Sequence, residues 1–391
     1  KTAKAALFPS LSFSTSQQVV NRPYQETSSR VSGSEIISSN SKTSYNGNYG
    51  LNASWTLYNG NKRLKTIQQE KLNNQVAELD VATSENNIQE SIAQVYIQIL
   101  YATESVKVNE STLQVSIAQR DRGQELLNAG SIAKSDFAQL EAQVSTDRYQ
   151  LVTAQATLED YKLQLKQLLE LDGENEMNIY LPALSDENVL APLPTKKDVY
   201  IRALSLRPEI EASKLNVEAS ELGIGIAKSS YLPTISLSAG IGTNHTSGSD
   251  FTFGEQVKNG WNNSIGLSVS VPIFNNRQTK SAVQKAKLQY ETSMLSLLDE
   301  QKTLYKTIEG LWLDANSAQQ RYAAANEKLK STQISYELIS EQFNLGMKNT
   351  IELLTEKNNL LQAQQEQLQA KYMAILNMQL LKFYQGDQLA I

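Results

Sequence analysis

The chain repeats itself, and the repetition restricts it to folds built from two copies of one unit. Ala3-Lys4 and the run Leu7-Phe8-Pro9-Ser10-Leu11-Ser12-Phe13-Ser14 return as Ala227-Lys228 and Tyr231-Leu232-Pro233-Thr234-Ile235-Ser236-Leu237-Ser238. Gly50-Leu51 followed by Leu57-Tyr58-Asn59-Gly60 returns as Gly266-Leu267 followed by Ile273-Phe274-Asn275-Asn276. Asn128-Ala129-Gly130 returns as Asn344-Leu345-Gly346. These anchors keep their order at an offset of about 216 to 224 residues, which divides the chain into a first repeat, 1–195, and a second, 196–391.

Each repeat reads as two strands followed by two helices. Strict alternation marks the strands, as where Gly266, Ser268 and Ser270 separate Ile265, Leu267, Val269 and Val271. The predicted strands cover about 8–18, 48–58, 232–243 and 263–274, each with one apolar face and one face of small polar residues. Segments of about 20–47 and 243–262, rich in Ser, Asn, Gly and Thr, read as exposed loops between them. Tyr45, Tyr49 and Trp261 bracket the strands at the loop end, and Trp55, Tyr58 and Phe274 at the helix end, like the paired girdles of membrane barrels. On the strands alone, a β-sandwich patterns the same way.

Proline is absent from 59 to about 128 and from 275 to about 344, and Ile88, Ile92, Val95 and Ile99 carry a coiled-coil spacing. Helices of about 60–128 and 276–344 would each be about 100 Å long at ~1.5 Å per residue, more than a compact domain needs. Gly130 is placed to stop the first in the left-handed conformation, with Ser131 or Ser135 capping a returning helix of about 131–171. Leu345-Gly346-Met347-Lys348-Asn349-Thr350 repeats the design ahead of a helix of about 347–384. Asp172-Gly173 and Gln385-Gly386 end the returning helices, so each repeat contains a long antiparallel hairpin. A connector of 172–195 with Pro182, Pro192 and Pro194 joins the repeats, and a further helix of about 208–230 opens at Pro208. Its counterpart in the first repeat is missing, and the expectation is a chain trimmed inside its first helix together with any signal peptide.

Charge and composition exclude several classes. A net charge of -5 without a basic stripe argues against nucleic acid. The absence of cysteine rules out disulfides and thiol chemistry within this chain. No apolar run reaches the ~20 residues of a spanning helix, so entry into a membrane must be by strands. The sole histidine, His245, is read as a loop residue between Asn244 and Thr246, without a nucleophile or metal set beside it. No enzyme, cofactor or metal site is expected.

Ala203-Leu204-Ser205-Leu206-Arg207-Pro208-Glu209-Ile210-Glu211-Ala212-Ser213, followed by Ala227-Lys228-Ser229-Ser230-Tyr231-Leu232-Pro233-Thr234-Ile235-Ser236-Leu237, resembles the signature of TolC-like outer membrane efflux proteins. The duplication, the glycine-bearing tips and the connector are similar to that family in the same order. The resemblance implies a mixed α/β membrane protein: a homotrimer with a 12-stranded transmembrane β-barrel, four strands per chain, continued by a long α-helical barrel of hairpins. Physics independently requires an oligomer, since four strands cannot close a barrel and open edges are not tolerated in lipid.

The implied function is the outer-membrane exit duct of a tripartite efflux or type I secretion system in a Gram-negative bacterium. Its implied partners are outer-membrane lipid, a periplasmic adaptor and an inner-membrane pump. By the same resemblance, Ser135 and Asp136 on the first tip face Phe343 and Lys348 on the second as a periplasmic gate. Glu352 forms an acidic ring, while Gly130, Ser131, Gly346 and Met347 dock the adaptor. Lys348 stands where the family carries arginine, which turns a bidentate fork into a point contact and predicts a weaker latch. Thr355 replaces a second aspartate and leaves one carboxylate ring. The girdle is Trp55, Tyr58, Trp261 and Phe274. The competing reading is a trimeric coiled-coil adhesin or fibre with a β-rich head.

Overall fold

The computed structural model describes residues 2–24, 28–32, 35–39, 42–171, 179–180 and 189–389. They form, in order, α1 (Thr2–Ala5), β1 (Ser10–Asn21), β2 (Ser28–Ser32), β3 (Glu35–Ser39), β4 (Thr43–Asn59), α2 (Lys62–Asn128) and α3 (Lys134–Leu168). There follow α4 (Lys196–Leu206), α5 (Pro208–Lys228), β5 (Thr234–Thr246), α6 (Phe253–Asn259), β6 (Asn262–Ser270), α7 (Gln278–Asn344) and α8 (Thr350–Tyr384). Both long helices contain 67 residues and both returning helices 35. The chain folds as two compact units, one of Lys1–Ala77 with Ser213–Leu297 and one of Glu78–Ala212 with Leu298–Ile391, and each draws on both repeats.

In the first unit, β1, β4, β5 and β6 form one antiparallel sheet in the order β1-β4-β5-β6, with β2 and β3 paired separately. The register aligns like with like. Leu11 faces Ala53, Ala53 faces Ala239, and Ala239 faces Ile265. One residue along, Ser12, Asn52, Gly240 and Ser264 make the matching polar row. Because side chains alternate, this register gathers Leu, Ile, Val, Phe and Trp on one face and Ser, Asn, Gly and Thr on the other. A bulge between Thr56 and Tyr58 places Tyr58, rather than Leu57, opposite Ile235.

The turn from β4 into α2 uses two consecutive left-handed residues, Gly60 (φ 66°) and Asn61 (φ 62°), and the matching turn into α7 uses Asn276 (φ 52°) and Arg277 (φ 63°). A Cβ on Gly60 would lie 2.6 Å from the Ser229 carbonyl oxygen, so close approach as well as φ calls for glycine there.

The segments expected as loops are more ordered than their composition implies. β4 begins at Thr43, β5 runs to Thr246, and α6 interrupts 243–262 under a Thr252/Glu255 capping box. His245 is therefore a strand residue, with its ring against Tyr45, Tyr49 and Phe253 at centroid distances of 5.3, 5.8 and 5.0 Å. β6 stops at Ser270, short of the expected 274, because Pro272 cannot donate to a ladder.

The second unit holds the apolar core. The last turns of α8 are apolar almost all round, and Ala370, Ala374, Ile375, Leu376, Met378, Leu380 and Leu381 are buried there. Ile97 and Leu100 of α2 and Ala318 and Tyr322 of α7 pack against them, while Val199 and Ala203 of α4 join Ile210, Leu304, Ile308 and Tyr384. α4 was not anticipated. Thr195 caps it by accepting the Asp198 N–H, and Pro208 divides what would be one helix into two by forcing Arg207 into an extended conformation.

Arg207 is buried between Glu90 (3.2 Å) and Glu209 (2.8 Å), with its guanidinium 4.2 Å from the Tyr384 ring centroid. Burial pushes the Glu90 carboxyl up despite this neighbour, and it raises the Tyr384 hydroxyl to about 12. α3 stops at Leu168 through Glu170 in the left-handed region (φ 51°), and the expected stop at Asp172-Gly173, like Pro182, lies outside the described residues.

Candidate functional site

Both helical hairpins turn through the same backbone device. At the first tip Gly130 has φ 72°, its N–H bonds the Leu127 carbonyl, and Ser131 N–H bonds that of Leu126. At the second Gly346 has φ 73°, with Gly346 N–H on Phe343 and Met347 N–H on Gln342. These are paired Schellman closures. A Cβ on either glycine would meet nothing within 4 Å, so the backbone angle alone selects glycine within one chain. Met347 and Ser131 are exposed beside them.

Neither Ser131 nor Ser135 caps α3. The N-cap is Ala133, and the half-buried Asp136 carboxylate accepts its N–H at 3.3 Å, which fixes the helix start ahead of Ser135. Ser135 is exposed on the first turn. The second tip carries a complete capping box: Asn349 accepts the Glu352 N–H (2.9 Å) and Glu352 accepts the Asn349 N–H (3.2 Å). Glu352 also pairs with Lys348 at 2.5 Å. Lys348 and the Asn349 N–H together hold the Glu352 carboxyl below its ordinary value. Asp136 and Lys348, expected to face each other, thus each have a partner in their own turn. Phe343 is buried in the last turn of α7.

A second polar assembly was missed from sequence. Ser116 of α2, Asp147 of α3 and Lys357 of α8 are 2%, 1% and 3% exposed. The Lys357 ammonium donates to both Asp147 and Ser116, and the Ser116 hydroxyl donates to Asp147 Oδ2 at 2.5 Å. Gln143 supplies the other carboxylate oxygen with a donor at 2.9 Å. Burial pushes the Lys357 ammonium down, and Asp147 opposes that shift. The available signal was interruption of apolar stripes: Lys357 falls between Leu353 and Leu361, Asp147 after Leu140 and Val144, and Ser116 after Leu113.

On the sheet, Trp55 is exposed on the apolar face and donates its indole N–H to the Leu7 carbonyl at 2.8 Å. Tyr58 is half-buried beyond the bulge. Trp261 immediately precedes β6, and Phe274 lies past its end; both are exposed. Among the described residues no helix is long and apolar enough to cross a membrane, and no three His, Asp or Glu converge on a point that could hold a metal ion.

A sequence model described as outer membrane efflux protein matches residues 1–170 and 199–386. The chain is 24% identical over 290 residues to the outer membrane efflux protein BepC of Brucella suis, covering 74% of this chain and 60% of that protein. It is 23% identical over 311 residues to the outer membrane protein TolC of Escherichia coli, covering 77% and 62%. It thus spans about three fifths of the length of these curated relatives. Its fold matches that of CusC, described with transmembrane channel formation, at a TM-score of 0.80 and 19% identity, over 99% of this chain and 85% of that one.

Proposed function

The chain belongs to the outer membrane efflux protein family, a channel family, and on that premise we propose that three copies form a passive exit duct through the outer membrane of a Gram-negative cell. The observation that carries this reading is the two-faced sheet. Among the described residues its polar rows are Ser, Asn, Gly and Thr, with Gln18 and Val20 at the far end of β1, and carry no charged side chain, while its apolar rows carry Leu11, Phe13, Leu51, Trp55, Leu237, Ile241, Ile265 and Leu267. Such a sheet suits water on one side and lipid on the other. From Ile235 to His245 the strand rises about 33 Å at ~3.3 Å per residue. At the ~35–45° tilt of membrane barrels this spans about 25 Å, the height of the usual apolar band. β1 and β6 are the edges of the four-stranded sheet, and joining β6 of one copy to β1 of the next removes every edge.

In this reading the repeats, 1–195 and 196–391, each contribute two strands and one hairpin. Trp55, Tyr58, Trp261 and Phe274 mark the membrane boundaries. Ser135, Asp136, Phe343, Lys348 and Glu352 surround a periplasmic gate, with Glu352 as its acidic ring. An adaptor engages the hairpin tips at Gly130, Ser131, Gly346 and Met347, and links the duct to an inner-membrane pump. The single-chain geometry supports a modified latch: Lys348 is already engaged by Glu352, so closure between tips rests less on Lys348 than the family's arginine would imply.

Purified protein in planar bilayers is expected to conduct in discrete steps, and detergent-solubilised particles to show a threefold cylinder by electron microscopy. Asp136→Ala combined with Lys348→Ala is expected to raise conductance. A soluble, non-conducting rod would overturn the duct and favour the fibre.

A further inference from the structure

Charge in the first unit is sorted along the chain. Between residues 1 and 69 the acids are Glu26 and Glu35, and between 222 and 290 they are Asp250 and Glu255. All four fall in sequence between β1 and β4 or between β5 and β6, and none in the passages that join the strands to the helices. Those passages carry cations instead, in one recurring pattern: an aromatic residue at or near the strand end, then Lys or Arg three or four positions further from the sheet. Phe8 is matched in this way by Lys4, Tyr58 by Lys62, Tyr231 by Lys228 and Phe274 by Arg277. These four cations are exposed, as are Lys280, Lys285 and Lys287 of α7, and no ion pair joins any of the seven to a carboxylate among the described residues. Arg63 and Lys65 add to the group from half-buried positions, donating to the carbonyls of Ala6 at 2.6 Å and Gly225 at 3.4 Å.

We propose that these side chains form a cationic collar that holds the anionic phospholipid headgroups of the leaflet on the helix side of the sheet. The proposal rests on the membrane-spanning sheet of the duct reading above.

The extent of the carboxylate-free stretches fits that partner. The first acid of α2 is Glu70, about 12 Å along the helix from Lys62, and that of α7 is Glu291, about 20 Å from Gln278, at ~1.5 Å per residue. The polar layer beside the hydrocarbon is about 5–8 Å thick, and the potential of an anionic leaflet reaches a further ~8 Å in physiological salt. Acids therefore return only where that potential has decayed. The aromatic member of each pair suits the boundary of the apolar layer, and the cation suits the phosphates just beyond it. The helix starts point the same way. Neither α2 nor α7 has an acid in its first turn, although a helix N-terminus favours negative charge, and Lys62, Arg63 and Arg277 stand there instead. Cations at that place oppose the helix dipole, and an external anion reverses the opposition. The chain as a whole carries a net charge of -5, so the collar is a local reversal of sign.

The test offers the purified protein, in detergent, equal amounts of dioleoylphosphatidylglycerol and dioleoylphosphatidylcholine, and reads the lipid it retains by native mass spectrometry. Phosphatidylglycerol is expected to be preferred, with the preference falling about fivefold for each cation removed in the series Lys62→Gln, Arg277→Gln and Lys280→Gln. Lys62→Arg with Lys280→Arg should keep it, and so should removal of three exposed lysines elsewhere by Lys134→Gln, Lys302→Gln and Lys330→Gln. In the wild type the preference should weaken as salt is raised, a readout that needs no variant. Equal retention of both lipids, a preference indifferent to salt, or one unmoved by the Gln series overturns the proposal. So does a Gln series that shifts the reversal potential in planar bilayers while leaving lipid preference intact, since the cations would then line the bore. Protein that retains neither lipid sinks the membrane-spanning sheet itself, whereas retention without preference sinks only the collar.

Discussion

Glu352 caps α8, pairs with Lys348 and stands where the acidic ring is proposed. Its carboxyl is held below the ordinary 4.5 by Lys348 and the Asn349 N–H, so its ionised form predominates at and above 4.5 and is lost as pH falls through the lower folded value. Cation preference measured by reversal potential should therefore persist from neutral pH down to 4.5, and Glu352→Gln should lower it already at neutral pH. A preference that fades above 4.5 in the wild type would assign the ring to another group. Arg207 lies deeper. Arg207→Ala leaves Glu90 and Glu209 without their cation, and chemical denaturation should register a loss of about 3–5 kcal/mol. Arg207→Lys should lose less, because it keeps the charge but not the fork or the ring stacking. At this scale the sequence was partly legible. The Arg207-Pro208-Glu209 motif could be recognised, but its pairing with Glu90 could not, since 117 residues separate them. Asp147 and Lys357 were harder still, because each resembles an ordinary helix-surface charge until its neighbours in space are known.

Secondary structure was readable wherever glycine or proline punctuates it. Gly130, Gly346 and Gly386 sit at helix ends with φ of 72°, 73° and 94°, and the predicted helices 60–128 and 276–344 lie within two residues of α2 and α7. The β2–β3 pair and α6 escaped notice because main-chain pairing and short capped turns need no apolar periodicity. At Gly346 a methyl group would find open space, so Gly346→Ala should cost only the left-handed backbone term, about 1–2 kcal/mol. Faster amide exchange at Met347 would report it; unchanged exchange there would show that the turn tolerates a side chain. The two faces of β6 give a sharper contrast. Leu267→Arg places a charge against lipid at a cost of about 2–4 kcal/mol and should reduce insertion into vesicles, whereas Ser268→Arg should insert normally and lower conductance. Equal insertion of both variants would contradict the assigned faces.

At the scale of the whole molecule, α7 leaves Leu288 and Leu295 exposed in one chain, one heptad apart on a single stripe. In the proposed trimer they would be covered by a neighbouring chain. Burying such a side chain contributes about 1.5–3 kcal/mol, so Leu288→Ser with Leu295→Ser should shift the trimer toward smaller species on dilution. An unshifted sedimentation profile would remove this stripe from the interface. The duplication and the two-faced strands made the architecture legible, whereas the stoichiometry was not, because neither closure nor heptads count chains. The uncharged rows of Ser, Asn, Gly and Thr also bear on traffic. In the proposed duct a solute passing them would meet hydroxyls and amides that bond water as readily as they bond the solute, with no fixed charge on which to dwell. On that reading transit through this stretch would be diffusion along a wetted wall, sorted by cross-section, with discrimination between cargoes exercised before a molecule reaches it.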